Sequence, residues 1–203
     1  MKLTTTRCLL FTGILIPIIF WAATFIAAEL HGNYNHFRDT ISQLGAIGTI
    51  SENFMTVSTW VTVVLSVGFL TGLLSVCRRF NVNKIPLIGV AGFSLIFGWA
   101  ASFHSGNPMH SKSGPLLLLL LAGPLLSFLW RRKELKKLRV LSLLSFFIML
   151  LILLRVVLPG TIQENYTGLI QRLVHFGWTV WFIALASGFL ALINKNPGGV
   201  ADK

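Results

Sequence analysis

Six apolar stretches, each long enough to cross a bilayer, constrain this chain more than any other feature. They run about Cys8–Ala28, Phe54–Val76, Ile85–Phe103, Gly114–Trp130, Val140–Leu158 and Leu173–Ile193. A spanning helix needs roughly 17–25 such residues to cover the hydrocarbon core. Lipid offers no partner to a bare backbone amide, so each stretch must be helical. The predicted fold class is all-α, an integral membrane six-helix bundle forming a single domain over residues 1–203. Composition supports this where it is needed. Charged residues are only 11% of the chain against 54% hydrophobic, whereas a soluble domain needs roughly 25% charged residues to wet its surface. The same figures exclude a disordered chain, and 2 Cys exclude a disulfide scaffold.

The charges that remain are arranged. The net charge is +11. In a soluble protein that would point to nucleic acid. Here the basic residues sit in short clusters between the spans, with no basic, aromatic-bearing surface, so no nucleic-acid partner is expected. One set of flanks holds Lys2, Arg7, Arg78, Arg79, Lys84, Arg131, Arg132, Lys133, Lys136, Lys137, Arg139, Lys195 and Lys203. The other holds Arg38, Lys112, Arg155 and Arg172. The positive-inside rule then predicts both termini in the cytoplasm of a multi-pass protein of the cell (inner) membrane. The run Arg131–Arg139 is the strongest topological anchor, with anionic lipid binding its alternative role. The first span resembles a signal peptide at its start, but its apolar run of 21 residues exceeds the roughly 7–15 of a signal h-region, so it reads as an uncleaved anchor. Cys8 and Cys77 fall at cytoplasmic helix ends and are expected as reduced thiols.

No Asp, Glu, Lys or His lies in the middle of any span. Pumps and proton-coupled transporters place ionisable groups there, so transport is disfavoured. The buried hydroxyls, such as Thr59, Thr62, Ser66, Ser94, Ser145 and Thr179, are expected to bond the carbonyl one turn back. Gly68-x-x-x-Gly72, Ser94-x-x-x-Gly98 and Ala184-x-x-x-Gly188 predict close helix contacts, within the monomer or at a dimer seam. Pro17 and Pro124 should kink their helices. Pro86 and Pro115 should begin theirs, with Ser113 as a cap.

All five histidines, His31, His36, His104, His110 and His175, map to the predicted outer side, as do Glu29, Asp39, Glu52 and Glu164. Histidine suits acid–base work and metal binding near neutral pH. The first outer loop, about residues 29–53, carries Phe37, Ile41 and Leu44 at helical spacing, which predicts a short amphipathic helix with Asp39, Ser42 and Gln43 on its polar face. Thr49-x-x-Glu52 reads as a capping box for the second span. Arg172 and His175 share a helix face, and Arg155 either snorkels to the interface or pairs with a carboxylate. His104, His110, His175 and Asp39 are the ligands available to a metal, but no compact motif such as H-E-x-x-H is present and no metal is assigned. Haem between paired histidines is disfavoured because bis-His ligation across a bundle usually places the histidines well within the spans. Ser42, Ser105 and Ser111 have His and Asp nearby without a nucleophile elbow. The cofactor stays unknown.

The segment His36-Phe-Arg-Asp39-Thr-Ile-Ser42-Gln43-Leu44-Gly45 after the first span resembles the domain-of-unknown-function 998 family of multispanning membrane proteins. His110 before the fourth span and Gly168-Leu-Ile-Gln-Arg172 before the sixth resemble further family features. The resemblance covers nearly the whole chain and implies an integral membrane protein with an outer polar site. Where the family often carries an aromatic-Pro-x-Asp segment, this chain has Phe103-His104-Ser-Gly-Asn-Pro108.

Two functional expectations follow. In the first, a polar His/Asp/Arg pocket on the outer face binds a lipid head group or a protein partner. Arg38, Arg155 and Arg172 hold an anionic group, and Ser42, Gln43 and His104 contribute to the ligand site. In the second, an outer-leaflet hydrolase or transferase acts on a lipid-linked substrate. His110 or His175 is the base, Asp39 orients it, and Arg172 stabilises developing charge. Both expectations require Asp39, His110, Arg155, Arg172 and His175 to converge.

Overall fold

The structure is a computed structural model and describes residues 1–196. Lys203, counted above among the basic flanks, lies outside the described residues. Helix α1 spans Leu3–His31, and a single turn, α2, spans Ile41–Leu44. Helix α3 spans Glu52–Arg79, α4 spans Ile88–Ser102 and α5 spans Gly114–Leu125. Helix α6 spans Lys136–Leu150, α7 is the turn Leu154–Val157, and α8 spans Gly160–Lys195. Short 3₁₀ segments lead into α4 at Ile85–Leu87 and into α5 at His110–Ser113, and another joins α6 to α7 at Leu151–Leu153. Six helical segments are long and apolar enough to cross a membrane. The chain is therefore an all-helical multi-pass membrane protein.

The long helices pack in chain order, α1 on α3, α3 on α4, α4 on α5, α5 on α6 and α6 on α8, and α8 returns to α1 to close the ring. Helix α8 is the most deeply buried of the spanning helices. Its Trp178, Trp181, Phe182, Leu185 and Phe189 are fully buried. They meet Phe69 of α3 and Phe93 of α4, with ring centroids 5.4 Å apart for Phe69–Phe182 and 4.7 Å for Phe93–Trp178. These aromatics fit because glycine lies opposite them. A Cβ on Gly89 would meet Trp181 at 2.5 Å and Gly123 at 2.7 Å, so α4, α5 and the Trp181 ring touch only because neither glycine has a side chain. Phe11, Val64, Leu118 and Phe147 remain exposed on the outside of the ring, where lipid is their solvent.

Several expectations change in detail. The sixth helix begins at Gly160, well before Leu173. Its first turns carry Gln163, Glu164 and Asn165, and an apolarity window cannot tell a polar helix start from a loop. Helix α1 runs unbroken through Pro17, whereas α5 ends just after Pro124 and gives way to a 3₁₀ segment at Leu126–Leu129. Ser113 precedes α5 without capping it, because its hydroxyl donates back to the His110 carbonyl at 3.1 Å. The cap of α3 is Ser51, not Thr49. Thr49 donates to the Ala46 carbonyl at 2.8 Å instead.

The small-residue motifs work within the monomer. A Cβ on Gly72 would meet Leu9 of α1 at 2.9 Å, and one on Gly188 would meet Leu138 of α6 at 3.3 Å. Ser94 bonds Ser66 across α3 and α4 at 2.7 Å, while Gly98 faces open space. Thr59 and Thr62 do bond one turn back, to Met55 and Ser58. Ser145 instead donates to the Gly177 carbonyl of α8, and Thr179 accepts the Trp21 indole N–H at 3.0 Å.

Candidate functional site

The loops bearing His31, His36, His104 and His110 gather at one end of the bundle, with the start of α8. They are tied together by backbone. Ile47 N–H donates to the Ser105 carbonyl at 3.0 Å, linking the first loop to the α4–α5 loop. On the other side, Gly168 N–H donates to the Arg38 carbonyl at 3.1 Å and Leu169 N–H to the Phe37 carbonyl at 2.9 Å. Loop carbonyls reach helical N–H groups this way only where the incoming chain comes very close. Gly168 permits that approach, since a Cβ there would collide with the Asp39 carbonyl.

Arg172 stands one turn beyond Gly168 and fixes the first loop. Its Nη1 donates to the carbonyls of His36, Asp39 and Gly168, and its Nη2 to the Tyr34 hydroxyl at 2.6 Å and His36 Nδ1 at 3.1 Å. The guanidinium also lies 5.3 Å from the centre of the Tyr34 ring. Tyr34 passes the chain of bonds on by donating to the Asp39 carbonyl at 3.0 Å. Burial pushes the Tyr34 hydroxyl above its ordinary range, although Arg172 pulls it the other way. Desolvation holds the His36 imidazole below its ordinary value, and the Arg172 charge adds to that. A guanidinium can only donate, so His36 Nδ1 carries the lone pair.

Asp39 binds locally. Its carboxylate accepts Arg38 Nε at 2.9 Å and the Asn35 N–H at 2.8 Å. The Arg38 bond, first among the causes, holds the carboxyl below its usual range. Gln43 accepts the Thr40 N–H at 2.7 Å and so caps the turn α2. The predicted amphipathic helix shrinks to this one turn, with Ile41 and Leu44 buried and Phe37 exposed before it.

Beneath the loop lies a cavity of about 180 Å³. Phe20, Thr59, Ile96 and Phe97 of the long helices line it, together with Ser42 and Gly45 of the first loop, Ser105 and His110 of the α4–α5 loop, and Gln171 of α8. His104 and His175 complete the lining. His104 is held on both nitrogens. Nδ1 meets Glu52 Oε1 at 2.7 Å, and Nε2 lies 3.1 Å from both Thr56 Oγ1 and the Ala101 carbonyl. His110 donates from Nδ1 to the Phe103 carbonyl at 2.6 Å. His175 accepts at Nδ1 from the Trp178 indole at 2.8 Å.

The five residues expected to converge do not all do so. His110 and His175 share the cavity, joined by His104 and Ser42. Asp39 and Arg172 belong to the tie above it: the Asp39 carboxylate is bound to Arg38 and orients no histidine, and the Arg172 fork is filled by loop carbonyls, Tyr34 and His36. Arg155 is exposed on α7, and among the described residues no carboxylate pairs with it. Its carbonyl accepts the Gln163 side chain. Nor do any three His, Cys, Asp or Glu side chains among the described residues come close enough together to hold one metal ion. Sequence reasoning missed Gln171, whose Oε1 accepts the Ile41 N–H at 2.6 Å, and the Glu52–His104 pair. Glu52 had been assigned to capping, and it does take the Gly48 N–H at 2.7 Å, but its second oxygen holds the histidine.

A family model described as a protein of unknown function, DUF998, matches residues 14–188. The chain belongs to the DUF998 family. The match runs from α1 to α8 and includes every residue that lines the cavity of this DUF998 protein. No curated protein and no solved structure matches it.

Proposed function

We propose that this DUF998 protein holds the head of a membrane amphiphile in the histidine-lined cavity. The observation that carries this reading is the mixed lining of the cavity. Aromatic and aliphatic side chains such as Phe20, Ile41, Ile96 and Phe97 share it with hydroxyl, amide and imidazole groups. Small-molecule sites have this character, mostly apolar with a few placed polar groups. The asymmetry of basic residues supports an orientation with the histidine end away from the cytoplasm, in the cell (inner) membrane. The bound lipid is then an outer-leaflet one. In this reading Arg172, Asp39 and Gln43 position the loop that roofs the cavity, and Arg38 and Arg155 take no part in binding.

Filling the cavity tests the reading. Ala100 lines it without making a polar contact that the fold needs. The Ala100→Trp variant should fold and should lose the lipid that native mass spectrometry detects on the wild-type protein. Equal lipid retention by the two proteins would overturn the proposal.

One observation favours acid–base chemistry as a second reading. His110 donates from Nδ1 to Phe103, a bond that in the neutral tautomer leaves a lone pair on Nε2 beside the cavity. No serine among the described residues bonds to the imidazole of His110 or His175, Ser113 reaching only the His110 main-chain carbonyl, so neither histidine activates a serine in this arrangement. Turnover of the captured lipid that His110→Phe abolishes would favour the enzyme.

A further inference from the structure

We propose that the cavity selects an uncharged head group through its hydroxyls, which donate to His110 Nε2 and accept from His175 Nε2–H. The inference rests on the reading of the cavity as a head-group site and adds the chemical class of the head. The tautomers follow from the partners. The Trp178 indole is a donor only, so His175 Nδ1 must be the lone pair and Nε2 must carry the ring's proton. The Phe103 carbonyl is an acceptor only, so His110 Nδ1 carries a proton, and in the neutral tautomer that this bond selects Nε2 is an acceptor. Both rings line the cavity, and neither Nε2 has a partner among the described residues. The two rings therefore present one free donor and one free acceptor to the cavity. Hydroxyls can satisfy both, whereas acceptor-only oxygens leave the His110 lone pair unmet.

Charge points the same way. No Lys or Arg lines the cavity, and the positive charge that His104 can carry is matched by Glu52 at 2.7 Å. A phosphate or carboxylate would lose its water there without a cation in return, and that desolvation is costly. The volume of about 180 Å³ slightly exceeds the roughly 150 Å³ that holds a benzene ring, so a group the size of glycerol fits. The hydroxyl can belong to a neutral lipid or to a free polyol, and the experiment separates these sources.

Native mass spectrometry of the full chain in detergent, titrated with dioctanoylglycerol, dioctanoyl phosphatidic acid and glycerol, tests the proposal. Dioctanoylglycerol should form a one-to-one adduct at least about tenfold tighter than phosphatidic acid, and His110→Phe should weaken that adduct by about tenfold, the scale of one lost hydrogen bond in a desolvated site. A glycerol adduct of equal strength would support the hydroxyl class while overturning the amphiphile reading. Phosphatidic acid binding as tightly as dioctanoylglycerol would overturn the class and leave the amphiphile reading standing. No adduct with any probe would overturn both. A measurement on the unaltered protein guards against a variant that misfolds: ¹⁵N spectra of its histidines should report His175 protonated at Nε2 and His110 at Nδ1. The same tautomer on both rings would overturn the proposal.

Discussion

At the scale of single residues, Arg172 is the side chain on which the site depends, and it does so as a clamp. Its fork reaches two loop carbonyls, a phenol and an imidazole, a planar arrangement that a lysine ammonium cannot reproduce. Arg172→Lys should therefore cost on the order of 2–3 kcal/mol, the worth of a bond or two to a charged donor. The loss should appear as a lower melting temperature and faster amide exchange across residues 34–40. An unchanged exchange rate would remove the clamp from the account. His36 gives this clamp a pH dependence. Its neutral form is the docked one, and burial beside Arg172 holds its pKa below the ordinary value. The undocked ring binds its proton first as pH falls. Docking should be at full strength above about 6.5, the free-imidazole value, and should weaken as pH drops towards the lower docked value. Asp39 acts in a separate window. With its carboxyl depressed by the Arg38 bond, its contribution is present above the ordinary carboxylate range and is lost only as pH falls through the lowered value. Proteolysis of the first loop at pH 7.5 and 5.0 separates the two. Faster cutting at pH 5.0, abolished in His36→Gln, is the expected result, and Asp39→Asn should leave that pH step in place.

At the scale of elements, glycines set how closely the helices and loops approach. Gly168 lets the first loop lie on α8, and Gly168→Ala should push the Asp39 carbonyl away. Overpacking of this kind costs about 1–3 kcal/mol. Here it should also open the cavity, since Ile41, Ser42 and Gly45 reach the lining from that loop. The expected readout is reduced lipid retention with the helical circular dichroism unchanged. Gly89 has the complementary role at the crossing of α4, α5 and Trp181. Gly89→Val should lower thermal stability by a similar amount without affecting the first loop's exchange. If both substitutions produced the same loop opening, the separation of core and roof would fail.

At the scale of the whole molecule, the outstanding quantity is orientation. In a background lacking Cys8 and Cys77, single cysteines at Asn33, Asn107 and Gln163 should react with an impermeant thiol reagent in intact cells. Cysteines at Asn81 and Glu134 should react only after lysis. Labelling at Asn81 from outside would turn the histidine end towards the cytoplasm and redirect the search for a ligand to that face. The basic end has its own ties, with Arg132 donating to the Phe80 carbonyl at 2.7 Å and Trp130 to the Asn83 carbonyl at 2.8 Å. These bonds give the anchor cluster a structural part as well as a topological one.

The amino-acid sequence alone dictates the six helices, because apolar length and the need to satisfy every amide in lipid leave no other solution. It also placed the histidines together, since alternating spans return every second loop to one end. It could not assign the roles of the residues there. Arg172 and Asp39 read as chemistry, yet their bonds go to loop carbonyls and local amides, and such main-chain partners leave no trace in residue identity. The start of α8 was hidden for a related reason, since its polar turns look like loop until they pack. That His104, His110 and His175 line one cavity, and that Glu52 holds one of them, follows from how the helices pack. These contacts join positions from three different stretches of the chain, and their proximity depends on how closely the helices pack, which is set by glycines whose neighbours lie far away in sequence.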